Sequence, residues 1–238
     1  MSAELEPTTM GEVEAQIHER GGKLSSHPFI RRLEGEASLA EFTALLPRLG
    51  FFVFAFQDVL RVAGRRSTDP ELHGLIESME RGDRGHEQWY LEDLRGLGIE
   101  LRVEDLFSRD YDVTRDVAYE LVGTIALATD DYSRLALILC LEEAAQQFFG
   151  RVSGYAKRAG VTRRLRYFGG EHLVAEEAHE VFEEASQKQL ERLVVAPAAR
   201  AAVSSAIERT FHAMNRLADD LHQAMITVAA GPRKGVRS

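Results

Sequence analysis

Residues 135–145 read Leu135-Ala136-Leu137-Ile138-Leu139-Cys140-Leu141-Glu142-Glu143-Ala144-Ala145. As a helix this run is intensely apolar until two carboxylates interrupt it. Glu142 shares its stripe with Leu135, Ile138, Leu139, Ala145, Gln146 and Phe149. Burying a carboxylate on such a face costs several kcal/mol unless a cation or a proton compensates it. Glu142 is therefore a candidate metal ligand, and Glu143 is expected to be the solvated member of the pair. The plainer alternatives are that Glu142 ends the apolar stripe beside a surface Gln146, or pairs with an arginine.

The helical reading extends in both directions. The helix carrying Glu142 is expected over about 132–159, after a turn at Asp130-Asp131, with another at 112–129. Thr68-Asp69-Pro70 starts a helix that continues to Leu97-Gly98, where the glycine is a natural terminator. Ser38 opens a long helix as its N-cap, with Glu41 completing a capping box. That helix carries Phe42, Leu45, Leu46, Leu49, Val53 and Phe56 on one stripe and ends near Gly64. Shorter helices are expected over 11–20 and from Ser26, with Pro28 in the first turn. The last two are expected over 162–195, with a break at Gly169-Gly170, and from Pro197 to about 229. No run alternates as a half-buried strand does. The expectation is one all-α domain over 11–230, with too many uneven connections for a simple four-helix bundle. A loose tail (1–10) and a basic one (231–238) flank it.

Composition narrows the function classes. At 238 residues the chain can hide roughly 70% of its unfolded surface, and 45% hydrophobic with 28% charged residues is ordinary for a globular protein. The 29 Lys+Arg against 38 Asp+Glu give a formal charge of −9, which argues against a nucleic-acid partner. Cys140 is the only cysteine, so neither an internal disulfide nor a CxxC metal knuckle is available. Apolar runs such as 51–56 and 135–141 fall short of the ~20 residues that span a bilayer, and the N-terminus lacks a secretory pattern. A cytoplasmic protein with no membrane partner is expected.

Two further segments carry chemistry. In residues 167–179, His172, Glu176 and His179 stand at i, i+4 and i+7. At about 100° per residue, Glu176 lies roughly 40° and His179 roughly 20° from His172 around a helix. Two imidazoles and a carboxylate on one stripe suit iron, manganese or zinc better than calcium or magnesium. A solvated face stabilised by His–Glu spacing is the plain alternative. In residues 77–90, His86 is followed on its own face by Trp89, Tyr90 and Asp93, so it is expected to point inward. Its carboxylate partner is open among Glu77, Glu80 and Asp83, because Gly82 and Gly85 can distort the helix.

Taken together, these residues resemble the haem-oxygenase-like diiron oxidases and oxygenases, relatives of the TenA and PqqC proteins. His27-Pro28-Phe29, the stretch Leu33–Phe42 and the aromatic run 51–60 resemble that superfamily's N-terminal part, and the likeness covers roughly residues 25–225. His172-x3-Glu176-x2-His179 is similar to the family's His-x3-Asp-x2-His, with Glu for Asp, and Glu142 and His86 fall at the family's spacing upstream. The family's remaining Glu would fall at Met79 or Ile76, so Glu80 is taken as the nearest substitute.

The resemblance implies two Fe(II) ions per chain, held by Glu80, His86, Glu142, Glu176, His172 and His179, with Glu142, His172 and His179 central to the chemistry. The longer Glu176 side chain implies a labile second iron. It further implies dioxygen and a small, amino-acid-derived or fatty-acid-like substrate that is oxidised, N-oxygenated or cleaved. An external electron donor and a homodimer belong to the same picture. Tyr90, Tyr119 and Phe149 are candidate substrate contacts, and Asp93 and Glu183 candidate orienters of His86 and His172. The rival readings are a metal-free TenA-like enzyme using Cys140, a haem oxygenase with His18 or His27 as axial ligand, and a non-catalytic helical binding module.

Overall fold

Proline and glycine decide where this succession of helices breaks. The computed structural model describes residues 8–170, 172, 188 and 190–230. In chain order the helices are α1 (Met10–Leu24), α2 (Pro28–Glu34), α3 (Leu39–Leu45), α4 (Gly50–Arg66), α5 (Pro70–Asp83) and α6 (His86–Gly96). There follow α7 (Val103–Leu106), α8 (Asp112–Leu127), α9 (Asp131–Arg158) and α10 (Arg200–Ala229). Pro28 and Pro70 open α2 and α5, where a missing N–H costs nothing. Pro47 cannot donate within a continuous helix, so the single helix expected from Ser38 is divided by a 3-10 turn at Leu46–Leu49. Gly85, at φ +98°, splits the helix expected over 70–97 into α5 and α6. Gly98, at φ +73°, stands just past the end of α6, as expected.

Several caps differ from expectation. His27, not Ser26, caps α2, its Nδ1 accepting from the Phe29 N–H at 3.1 Å. Ser38 makes no side-chain cap, and Glu41 turns inward to Arg32 and the Tyr155 hydroxyl instead of closing a capping box. Residues 8–10 are not a loose tail: the Met10 N–H donates to the Leu193 carbonyl and the Val195 N–H to that of Thr8. The helix expected from 162 is absent before Gly170, and 161–169 runs as an irregular connection.

α9 is the central element, with α1, α2 and α10 packed along it, while α4 lies against α5 and α8. Leu135, Ala136, Leu137, Ile138, Cys140 and Leu141 are all buried, which is why this segment is apolar on every side. α3, the 3-10 turn and α4 together make 28 residues of helix long and apolar enough to cross a bilayer by length and composition, a longer run than the sequence expectation recognised. Its side chains instead fill the domain: Phe42, Leu45, Leu46, Val53 and Leu60 are core residues, and Phe52 and Phe56 line a pocket. Among the described residues the fold is all helical, apart from an isolated bridge between Thr9 and Val194.

Candidate functional site

Between α4, α9 and α10, closed off by the α5–α6 break, lies a pocket of about 920 Å³, its open mouth included. His86 and His172 both line it, at 4% and 3% exposure. Their ring centroids are 4.5 Å apart although 86 positions separate them in sequence (172 − 86). His86 opens α6, immediately after the left-handed Gly85 turn. His172 follows Gly169, where the Leu165 carbonyl approaches so closely that a Cβ would collide with it.

Each imidazole is held through the same nitrogen. The Asp83 carboxylate lies 2.8 Å from His86 Nδ1 and also accepts from the Gln57 amide. The Tyr167 carbonyl lies 3.0 Å from His172 Nδ1. An acceptor at Nδ1 fixes the proton there and leaves the lone pair on Nε2, the tautomer a metal requires. Phe149 stacks on His172 with centroids 3.8 Å apart, and the Trp89 ring lies 4.7 Å from that of His86. The two rings are thus confined on several sides.

Asp93 supports this arrangement from behind. Buried at 3% exposure, it accepts from the Arg166 N–H at 2.9 Å and the Phe168 N–H at 3.0 Å, pinning the segment whose Tyr167 carbonyl meets His172. Burial pushes its carboxyl above the usual range, and these backbone bonds offset that only in part. Asp93 was expected to orient His86; its position serves His172 instead, and Asp83 takes the other task. No local pattern could have shown this, since Asp93 meets a segment more than seventy positions away.

The other expected site residues divide. Glu142 is half-buried and lines the pocket, and Phe149 lines it too. Glu80 does not: its carboxylate lies near Gly64 and 3.7 Å from the Arg84 guanidinium, while Asp83 occupies the pocket wall. Tyr90 is fully buried and donates to the Leu46 carbonyl, away from the pocket. Tyr119 is 58% exposed against Phe51. Glu143, expected in solvent, is buried under α1: it accepts from the Gln147 amide and faces His18 Nδ1 at 3.2 Å, in space that exists because Gly21 has no side chain. Glu176, His179 and Glu183 lie outside the described residues.

Residues 51–228 match the family described as iron-containing redox enzymes. The chain belongs to that family. It is also similar to a domain of unknown function with a haem oxygenase-like fold from Shewanella denitrificans, with a TM-score of 0.67 and 15% identity over 97% of this chain and 99% of that one. That likeness establishes the fold. No curated protein matches the chain.

For an iron-containing redox enzyme, imidazole nitrogen and carboxylate oxygen are suitable donors. His86, His172 and Glu142 fit in kind, each on the pocket wall. Among the described residues, no three His, Cys, Asp or Glu side chains are gathered closely enough to hold a metal ion by themselves.

Proposed function

We propose that this iron-containing redox enzyme is a non-haem diiron oxidase or oxygenase that oxidises, N-oxygenates or cleaves a small metabolite with dioxygen. The observation that carries the reading is the pair of buried imidazoles, His86 and His172, each bonded at Nδ1 and facing one pocket. His86, His172 and Glu142 would hold iron, joined by Glu176 and His179 on the strength of the sequence pattern. Bound iron would supply the redox chemistry that closed-shell side chains lack. The chain's own contribution is positional. Asp83 and the Tyr167 carbonyl keep both imidazoles in the ligating tautomer, Asp93 keeps the Tyr167 segment in place, and Phe149 and Trp89 restrict water around the rings. An external electron donor completes the reaction.

The rivals lose support on geometry. Cys140 is fully buried and outside the pocket lining, and burial drives its thiol pKa upward, which disfavours a nucleophilic thiolate. The His18 side chain is 83% exposed beside Glu143, and His27 is engaged with the Phe29 N–H and Asp219. Neither histidine lines the pocket.

Metal analysis after anaerobic Fe(II) loading tests the reading. About two irons per chain are expected, as in other histidine–carboxylate diiron sites. His172→Ala should lose them while its helical circular dichroism persists. A well-folded wild-type protein that takes up no iron would overturn the proposal.

A further inference from the structure

The pocket lining is divided by chemistry. α1, α2 and α10 contribute apolar side chains only, among them Leu24, Phe29, Leu217 and Leu221. The polar groups sit on the other walls, around the α5–α6 break, on α4 and α9, and in the segment of Tyr167 and His172. Among the described lining residues every charged side chain is a carboxylate, namely Asp83, Glu87 and Glu142, and neither lysine nor arginine is present. The sequence from 171 to 187 contains no lysine or arginine either.

The three carboxylates have different engagements. Asp83 is bonded to His86 and Gln57. Glu142 is the carboxylate that the iron reading uses. Glu87 serves neither purpose; it is half-buried in the first turn of α6, where it accepts from the Gly85 N–H at 3.2 Å. That contact places a negative charge at the N-terminus of α6, where the backbone N–H groups would otherwise attract an anion. A substrate carboxylate or phosphate would therefore meet only like charges from the side chains, whereas an ammonium would be paired.

We infer that the site takes a hydrophobic amine, its ammonium held by Glu87 and its apolar body lying along α1, α2 and α10. This rests on the pocket being the substrate site of the proposed oxidase, and the two ideas fail separately. Calorimetric titration of the full-length protein, metal-free and Fe(II)-loaded, with decylamine, decanol and decanoate below their micelle-forming concentrations provides the test. The metal-free protein should bind decylamine about tenfold more tightly than decanoate, the scale of one partly screened ion pair. Glu87→Gln should bring decylamine down to the affinity of decanol without changing decanol itself. Glu87→Lys should reverse the order in favour of decanoate, which a loss of folding cannot mimic. Decanoate binding as tightly as decylamine, no binding of any probe, or an amine preference that survives both substitutions would overturn the inference. Amine selectivity without iron uptake would uphold the substrate class and sink the oxidase reading; iron uptake with decanoate selectivity would do the reverse.

Discussion

Asp131 and Asp93 are both buried, and each ties down a stretch of backbone with its carboxylate. Asp131 Oδ2 accepts from the Thr68 and Asp69 N–H groups at 2.7 and 2.8 Å, joining the start of α9 to the link between α4 and α5. Its other oxygen pairs with Arg134, itself only 7% exposed. Asp93 makes two equivalent bonds to 166–168, but among the described residues no guanidinium is bonded to it. Burial pushes both carboxyls upward. For Asp131 the backbone donors and Arg134 outweigh it, and the carboxyl ends below its ordinary value; for Asp93 burial wins. The clamp in the scaffold has a bonded, buried counter-ion, and the clamp behind His172 has only the field of Arg163, which is not bonded to it. Burial of a carboxylate without a bonded counter-ion costs stability, and here it is spent on the segment that holds the His172 ring.

The largest effect should come from breaking the compensated clamp. Asp131→Ala strands the buried Arg134, and breaking such a pair costs about 3–5 kcal/mol. Urea denaturation should show that loss, while iron content per folded chain stays near the wild-type value. If stability hardly falls, Arg134 finds another acceptor and the contrast between the two clamps disappears.

Asp93→Asn should cost less stability, about 1–3 kcal/mol, because one acceptor oxygen remains. Its main consequence should fall on the site. Loosening the Tyr167 carbonyl frees the His172 ring, and loss of such an orienting group typically lowers metal affinity by about 10–100-fold. Unchanged iron affinity in a destabilised Asp93→Asn protein would make Asp93 a scaffold residue like Asp131.

Acidification separates the clamps by sign. The Asp131 carboxyl lies below its unfolded value, so its contribution is present above that value and is lost as pH falls through the folded one. Asp93 lies above its unfolded value, so its stabilising contribution is complete in acid and is lost as pH rises through the folded one. The cost of Asp131→Asn should therefore shrink on acidification, and that of Asp93→Asn should grow. Parallel slopes in urea denaturation across this range would remove the electrostatic distinction.

The local parts of this structure were legible in the sequence, and the non-local parts were not. Pro28, Pro70 and Gly98 mark element ends through their own backbone chemistry, and the apolar run 135–141 needs no partner to be read as a buried helix. Within the site, the inward positions of His86, Glu142 and Phe149 followed from helix faces. Glu142 and Glu143 could not be fully sorted that way, because burial of Glu143 depends on a glycine of α1. The sequence could not show that Asp83 rather than Glu80 lines the pocket, because the Gly85 break ends the helical phase on which the comparison with His86 relied. Tyr90 and Tyr119 were misplaced because a face alone does not say which neighbour it meets.

The smallest effect should sharpen the contrast most. Arg163 lies over Gly96, donates to its carbonyl, and is the cation whose field lowers the Asp93 carboxyl, so it is the nearest counterpart of Arg134. Unlike Arg134 it is exposed, and solvent screens it. Arg163→Gln should therefore cost no more than ~1 kcal/mol at low salt, and the difference should vanish near 1 M salt, where the Debye length is about 3 Å. In an Asp93→Asn background the same substitution should cost nothing further, because the charge that Arg163 balances is gone. A loss that persists in high salt, or in the Asp93→Asn background, would mean that Arg163 acts through the Gly96 carbonyl at the end of α6. It would then be a helix cap, and the clamp behind His172 would hold its negative charge with no assistance from outside.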